Sequence, residues 1–210
     1  FTSASKGFKS GGTNDSVADI NTPFDPEEIW SYEVGARFQS EDGRVRLNVT
    51  GFSMDYKDKQ LTVTTSPNCL NRCTTNVGSA KIDGVEIEGI AQITDSLRMN
   101  FGVGTLDAKW DDIQNLTAGV EEDSQLSRAP DLSYTIGLLH SFNLASGGSI
   151  DSSINYAYKA DQESSGQDST TLTIPSYALA NLRVAYTAPS ENWTVSFYCN
   201  NCADEEYITG

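Results

Sequence analysis

Two closely spaced cysteine pairs are the residues whose type and spacing could do chemistry: Cys69-Leu70-Asn71-Arg72-Cys73 and Cys199-Asn200-Asn201-Cys202. Together they could offer four thiolates to a tetrahedral zinc ion. Alternatively the second pair, a Cys-x-x-Cys, could act as a redox dithiol, although no βαβ pattern surrounds it. The plain reading is two disulfides formed in an oxidising compartment, most simply Cys69 with Cys73 and Cys199 with Cys202. Catalysis has little else to draw on. His140 is the one histidine of the chain, too few for a Ser-His-Asp triad or a histidine-based metal site. Neither a phosphate-binding glycine motif nor an EF-hand loop occurs. The acidic runs Glu121-Glu122-Asp123 and Asp204-Glu205-Glu206 read as solvated surface. The chain is therefore read as a non-enzyme without a cofactor or catalytic residues.

Charge and hydropathy narrow the class further. Over 210 residues the formal net charge is −15, which argues against nucleic acid, since a phosphate backbone is bound by clustered Lys and Arg. No long apolar run offers a transmembrane helix. A barrel stays open, because half of its strand residues are polar and face a lumen.

The elements that must position these residues are long alternating strands. At 28–39 the even positions Trp30, Tyr32, Val34, Ala36 and Phe38 are apolar, while the odd ones Ser31, Glu33, Gly35, Arg37 and Gln39 are polar or glycine. The stretch 131–143 sets Leu132, Tyr134, Ile136, Leu138 and Phe142 against Asp131, Ser133, Thr135, Gly137, Ser141 and Asn143. The stretch 149–160 sets Ile150, Ile154, Tyr156 and Tyr158 against Asp151, Ser153, Asn155 and Lys159, and Trp193, Val195 and Phe197 alternate likewise near the end. A soluble sandwich would also alternate. Length decides: the runs 43–65 and 77–94 exceed the roughly 5–6 residues of an ordinary strand and the roughly 9–11 that cross a bilayer. Aromatics gather towards strand ends, as Trp30, Tyr32, Trp110, Tyr156, Tyr158, Tyr186 and Trp193, where the interface girdles of a barrel ask for them.

What joins the strands alternates too. Short turns at 40–43, 94–96, 145–148 and 188–191 are interleaved with long polar stretches at 10–26, 66–76, 111–127 and 161–173. All short turns then fall at one end of a sheet and all long loops at the other, as in bacterial outer-membrane barrels with short periplasmic turns and long extracellular loops. Strand directions traced this way put both cysteine pairs at the extracellular end. By its parity His140 faces lipid. Apolar parity slips across Gly51 and across Gly84, which suggests either bulges or points of close backbone approach, or else that Phe52, Met54 and Tyr56 face the lumen.

Several segments together resemble the barrel of TonB-dependent outer-membrane receptors. These are Gly7-Phe8-Lys9-Ser10-Gly11-Gly12-Thr13-Asn14, Phe24-Asp25-Pro26-Glu27 with Tyr32-Glu33-Val34-Gly35, and Phe52 with Asp55-Tyr56-Lys57-Asp58 and Gln60. Further on come Asn76-Val77-Gly78-Ser79-Ala80-Lys81-Ile82-Asp83-Gly84-Val85-Glu86-Ile87-Glu88, Leu126-Ser127-Arg128-Ala129-Pro130, and Asn201 with Asp204-Glu205-Glu206-Tyr207. They follow the family's order and spacing over nearly the whole chain. The resemblance implies an all-β fold, a transmembrane antiparallel up-and-down β-barrel. It also implies that residues 1–210 are the C-terminal portion, about nine strands, of a 22-stranded barrel plugged by an N-terminal domain. No plug domain, last strand or signal peptide is expected within these residues.

The function so implied is import of a scarce ligand, foremost a ferric siderophore, across the outer membrane, with TonB as partner through the plug. Outer-membrane lipid and lipopolysaccharide are the expected surroundings. Cobalamin or an oligosaccharide is the alternative cargo, and a passive porin or adhesin-like barrel the alternative class; the shortage of histidine argues against haem. Lumen-facing Glu33, Arg37, Glu86 and Glu88 are expected to contact the plug, because charge on the lipid face costs about 2–4 kcal/mol at the midplane for Arg or Lys. Trp110, Asp112, Arg128, Lys159 and Gln162 are the candidate ligand contacts, at the lumen-side ends of the loops.

Overall fold

The computed structural model describes residues 1–14, 22–63, 73–115, 120–164 and 173–208. Its elements are β1 (Thr2–Lys9), β2 (Gly12–Asn14), β3 (Thr22–Phe24), β4 (Glu27–Gln39), β5 (Val45–Val63), β6 (Cys73–Gln92) and β7 (Leu97–Ile113). There follow β8 (Leu132–Asn143), β9 (Ser149–Lys159), β10 (Gln162–Glu163), β11 (Thr173–Ile174), β12 (Tyr177–Thr187) and β13 (Thr194–Cys199). Among the described residues there is no helix. One nine-stranded sheet runs in the order β1-β4-β5-β6-β7-β8-β9-β12-β13, and β2-β3 and β10-β11 form two small hairpins. Every paired strand is antiparallel to its neighbours.

The tight turns close through local hydrogen bonds at one end of the sheet. Gly43 N donates to Ser40 O at 2.9 Å, and Gly147 N to Leu144 O at 2.9 Å. Both glycines hold positive φ, 69° and 91°, where a side chain would be strained. Thr94 Oγ1 accepts from Leu97 N at 3.0 Å, and Glu191 N donates to Ala188 O at 2.9 Å.

The register gives the sheet two unlike faces. On one face Phe38, Leu47, Gly89, Phe101, Ile136, Tyr156 and Ala180 stand opposite one another in a single row across seven strands. Val34, Phe38, Val195 and Phe197 on this face are each more than half exposed. A contiguous exposed apolar band belongs against lipid. His140 lies on this face, opposite Leu97 and Ser152, as its parity predicts. The opposite face carries the polar parity of β4, β8 and β9, and a hollow of about 530 Å³ opens on it, lined by Arg37, Arg46, Asn48, Glu88, Asn100 and Thr135. This is the inner, lumen face.

The parity breaks resolve in favour of the lumen. Pairing runs without a shift through Gly51 and Gly84, so neither glycine marks a bulge. Phe52, Met54 and Tyr56 face inward, and the Phe52 ring lies over Gly84, where a Cβ would also meet Thr105 O at 2.7 Å. The register shifts fall higher up, between Tyr56 and Gln60 on β5 and at Ser79/Ala80 on β6. Asp58, inside the first irregularity, holds φ 52°.

Two expectations need correction. Trp110 does not belong to an outward girdle: it stands opposite Ala80 on the inner face and is 1% exposed. It sits in a cluster with Val77, Ala80, Ala108, Ile113, Val120, Leu126 and Ala129. The chain after β7 folds back along that strand, with Trp110 N bonded to Ser124 O at 3.0 Å and Leu126 N to Ala108 O at 2.8 Å. An apolar stretch in a nominally polar loop thus covers the tryptophan. The Cys199–Cys202 pair does not reach the extracellular rim either, because Cys199 stands opposite Leu182, in the middle of β12, and Cys202 N rejoins β12 at Ala180 O, 2.7 Å away.

Candidate functional site

The inner face gathers the expected lumen charges. Register places Arg37 opposite Asn48 and Asn48 opposite Glu88; Glu86 faces Thr50, and Glu33 faces Phe52. Beside Glu86 and Glu88, β7 and β8 present Gly102, Gly104, Ser133 and Thr135, which line a second hollow of about 220 Å³ with them. Small residues keep this part of the wall flat, so the two carboxylates stand proud of it. The Arg37 guanidinium lies 5.1 Å from the centre of the Phe1 ring, a cation–π contact that fixes it over the wall. Glu33, Arg37, Glu86 and Glu88 therefore share one face.

The five candidate ligand residues are dispersed. Lys159 is on the inner face between Ser133 and Tyr177. Asp112 is exposed and stands opposite Ser79 beyond the β6 shift. Arg128 is exposed with φ 58°, and its N–H donates to Glu163 O at 2.8 Å. That bond brings it beside Gln162, which is buried in the β10-β11 hairpin. Trp110 lies under the loop. The indole Nε1 of Trp110 and the Oε1 of Gln162 are both buried without a hydrogen-bond partner.

The extracellular end also holds an amide clamp that the alternation of the sequence does not reveal. Gln60 N donates to Glu27 Oε2 at 2.8 Å, and Gln60 Nε2 to Ser10 O at 3.1 Å and Asp25 O at 3.0 Å. Asn76 Nδ2 donates to Asp25 O at 3.0 Å and Asp58 O at 2.7 Å while its Oδ1 accepts from Asp25 N at 2.7 Å. Asn14 does the same with both backbone groups of Thr74, each at 2.8 Å. Side-chain amides replace the ladder where the register slips and tie the β2-β3 hairpin to β5 and β6. Beside this clamp Lys59 meets Glu27 at 4.0 Å; burial lowers its ammonium pKa, against the opposing pull of Glu27.

Cysteine chemistry is settled for one pair. Cys199 and Cys202 form a disulfide, so they offer no thiolate to zinc. Cys73 is disulfide-bonded; Cys69 lies outside the described residues. Among the described residues no three His, Cys, Asp or Glu side chains converge as metal ligands.

Residues 1–202 match the family described as TonB dependent receptor-like, beta-barrel. The chain belongs to the TonB-dependent receptor β-barrels. Members of this family are outer-membrane transport receptors, and this barrel wall is accordingly placed in the outer membrane with its tight turns towards the periplasm. It is 27% identical over 209 residues to the metal-pseudopaline receptor CntO of Pseudomonas aeruginosa, covering 99% of this chain and 27% of that protein. The chain therefore spans about a quarter of the length of this curated relative. Among solved structures it superposes on the ferric yersiniabactin uptake receptor FyuA of Yersinia pestis with a TM-score of 0.79 at 19% identity, over 98% of this chain and 30% of that one. The ferripyoverdine receptor of the Pseudomonas aeruginosa outer membrane, bound to ferripyoverdine, gives 0.69 at 16% identity, over 100% and 27%. At such identities these likenesses establish the fold.

Proposed function

We propose that this chain is part of the wall of an energy-coupled importer of metal chelates, most simply a ferric siderophore. The observation that carries the reading is family membership over nearly the whole chain, joined to relatives that are receptors for a metal chelate. In the complete protein the wall would close as a 22-stranded barrel around an N-terminal plug, through which TonB acts. Glu33, Arg37, Glu86 and Glu88 then hold the plug, their charge being tolerable only away from lipid. Lys159, Arg128 and Gln162 would meet the cargo from the upper wall and loops, with Asp112 at the rim and Trp110 supporting the loop above it.

The test is uptake of radiolabelled iron, supplied as chelates from iron-starved culture medium, in cells lacking the full-length gene. Uptake is expected to fall and to return with the wild-type gene, and to stop when the proton-motive force is collapsed. Uptake that survives that collapse would instead mark a passive barrel. Unchanged iron uptake with a defect in cobalamin or oligosaccharide uptake would move the reading to the other cargoes.

A further inference from the structure

On the outer face of the sheet, charge is gathered just above the apolar band. Lys6, Trp30, Asp55, Lys81 and Lys109 stand opposite one another in a row across β1, β4, β5, β6 and β7. The next row towards the periplasmic turns is Ala4, Tyr32, Ser53, Asp83 and Asp107, and below it Val34, Gly51, Val85 and Thr105 open the band. Aromatic side chains flank this window, Trp30 and Tyr32 on β4 and Tyr134 and Tyr158 on β8 and β9. Between them the outward positions at 53–57 of β5, 81–83 of β6 and 107–109 of β7 carry none, and lysine and aspartate take their place. With Glu28 and Lys57, which face each other one row higher, the window holds four of the 14 Lys and Arg but only four of the 29 Asp and Glu. A chain of net charge −15 thus keeps its acid excess away from this surface.

The register inside the window is unfavourable by itself. Lys81 faces Lys109 and Asp83 faces Asp107, and like charges directly opposite on antiparallel strands destabilise the pairing. Each lysine is drawn along its own strand instead, Lys81 to Asp83 at 3.5 Å and Lys109 to Asp107 at 3.0 Å. All four side chains are half or more exposed, so these pairs are weak and open to exchange. A mesh that only neutralised itself would set lysine opposite carboxylate, as Lys57 stands opposite Glu28. Two ammoniums side by side make instead a two-pronged cation for a phosphate, and the two carboxylates beside them a seat for a divalent cation that shares the phosphate oxygens. Among the described residues no three His, Cys, Asp or Glu side chains converge on a metal, so the cation would be held only together with the phosphate.

We propose that Lys81, Lys109, Asp83 and Asp107, flanked by Lys6 and Lys57, dock the phosphorylated headgroup of an outer-leaflet glycolipid, the lipopolysaccharide of the surrounding membrane, together with its divalent counter-ion. Position and charge complementarity both select this occupant. Trp30, in the row of the lysines, marks the headgroup level, and the Lys6 ammonium lies 5.8 Å from its ring centre. Directly below, Val49, Val85, Ile87 and Val103 face outward to receive the acyl chains of the same molecule, so the window continues the lipid contact of the apolar band. Lysine carries a compact charge on a long apolar stem, which reaches from the wall to a headgroup. The site rests on the outer-membrane placement and not on the cargo.

The probe is lipid A carrying both phosphates, titrated in the presence of magnesium into the purified full-length receptor in detergent, with dephosphorylated lipid A and phosphatidylglycerol as comparisons. Wild type is expected to bind lipid A roughly tenfold or more tightly than either. Lys81→Gln/Lys109→Gln should weaken that binding roughly twentyfold, each lysine being worth roughly fivefold at an anionic lipid surface, and Lys81→Arg/Lys109→Arg should keep it. Chelating the magnesium should weaken binding by wild type but not by Asp83→Asn/Asp107→Asn. Arg44→Gln, at the periplasmic end and held by Asp95, should change nothing. Equal binding of dephosphorylated lipid A or of phosphatidylglycerol by wild type overturns the proposal. So does wild-type affinity in the double glutamine variant, or undiminished magnesium dependence in the double asparagine variant. Iron uptake is scored separately: lipid A binding without energised uptake refutes the importer reading and not the site, and energised uptake without lipid A binding refutes the site alone.

Discussion

Asp42 shows how one side chain organises a periplasmic turn. Its carboxylate accepts from Ser40 Oγ at 2.6 Å and from Arg44 N at 3.0 Å, and these bonds, the Ser40 bond foremost, lower its pKa. A lowered carboxyl pKa contributes stability that is fully present above the ordinary aspartate value. That contribution is lost as pH falls through the lowered value. Amide exchange at Arg44 should therefore accelerate on acidification below about pH 4, relative to the turn at 94–96; Asp42→Asn should abolish that pH dependence, and an unchanged profile would remove Asp42 from the account. Gly84 makes a second residue-scale case. An added Cβ would strike the Phe52 ring and the Thr105 carbonyl, so Gly84→Ala is expected to cost about 1–3 kcal/mol in the urea unfolding of the receptor. Phe52→Leu, which shortens the overlying side chain, should relieve part of it. The cysteine pair is a smaller matter: a disulfide spanning three positions closes a loop so short that its entropic contribution is about 2 kcal/mol at most.

Among the elements, β5 and β6 define the tall wall above the apolar band, and there the amide clamp stands in for regular pairing. Asn76→Ala would remove the exposed bonds to Asp25 N, Asp25 O and Asp58 O, of which Asp25 O keeps Gln60 Nε2 as a partner, at about 0.5–1.5 kcal/mol a bond. Limited proteolysis should then cut the β2-β3 hairpin faster, while the wall below Gly51 keeps its protection; equal rates in variant and wild type would mean that the clamp holds nothing. The sequence made β4, β8 and β9 legible, because strict alternation with one lipid-exposed face leaves a period of two that survives in the residue order. It left β5 and β6 ambiguous at Gly51 and Gly84, since an apolar residue facing the lumen breaks parity just as a bulge would. Only the partner strand distinguishes the two cases. The loop after β7 was unreadable for another reason: Val120, Leu126 and Ala129 are too sparse to form a period, yet they suffice to cover Trp110 once the chain folds back.

At the scale of the whole molecule the sheet is one wall with a lipid side and a lumen side, and the plug reading can be tested there. If Arg37 holds a plug, Arg37→Ala in the full-length receptor should sensitise cells to a bulky antibiotic that the outer membrane normally excludes, with unchanged receptor abundance. Unchanged resistance would count against that contact. The all-β class, the membrane setting, the direction of each long strand and the inward placement of Glu33, Arg37, Glu86 and Glu88 were determined by the sequence alone. They follow from a local rule, alternation, and from connector length, which residue order records directly. Tertiary structure alone decided that Trp110 is buried, that Cys199 lies in the middle of the wall, and that Gln60 and Asn76 clamp the hairpin. It alone brought Arg37, Arg46 and Glu88 around one hollow on the inner face. Each of these depends on which residue of another strand stands opposite, and register between strands distant in sequence is fixed by the folded sheet, not by the order of residues along it.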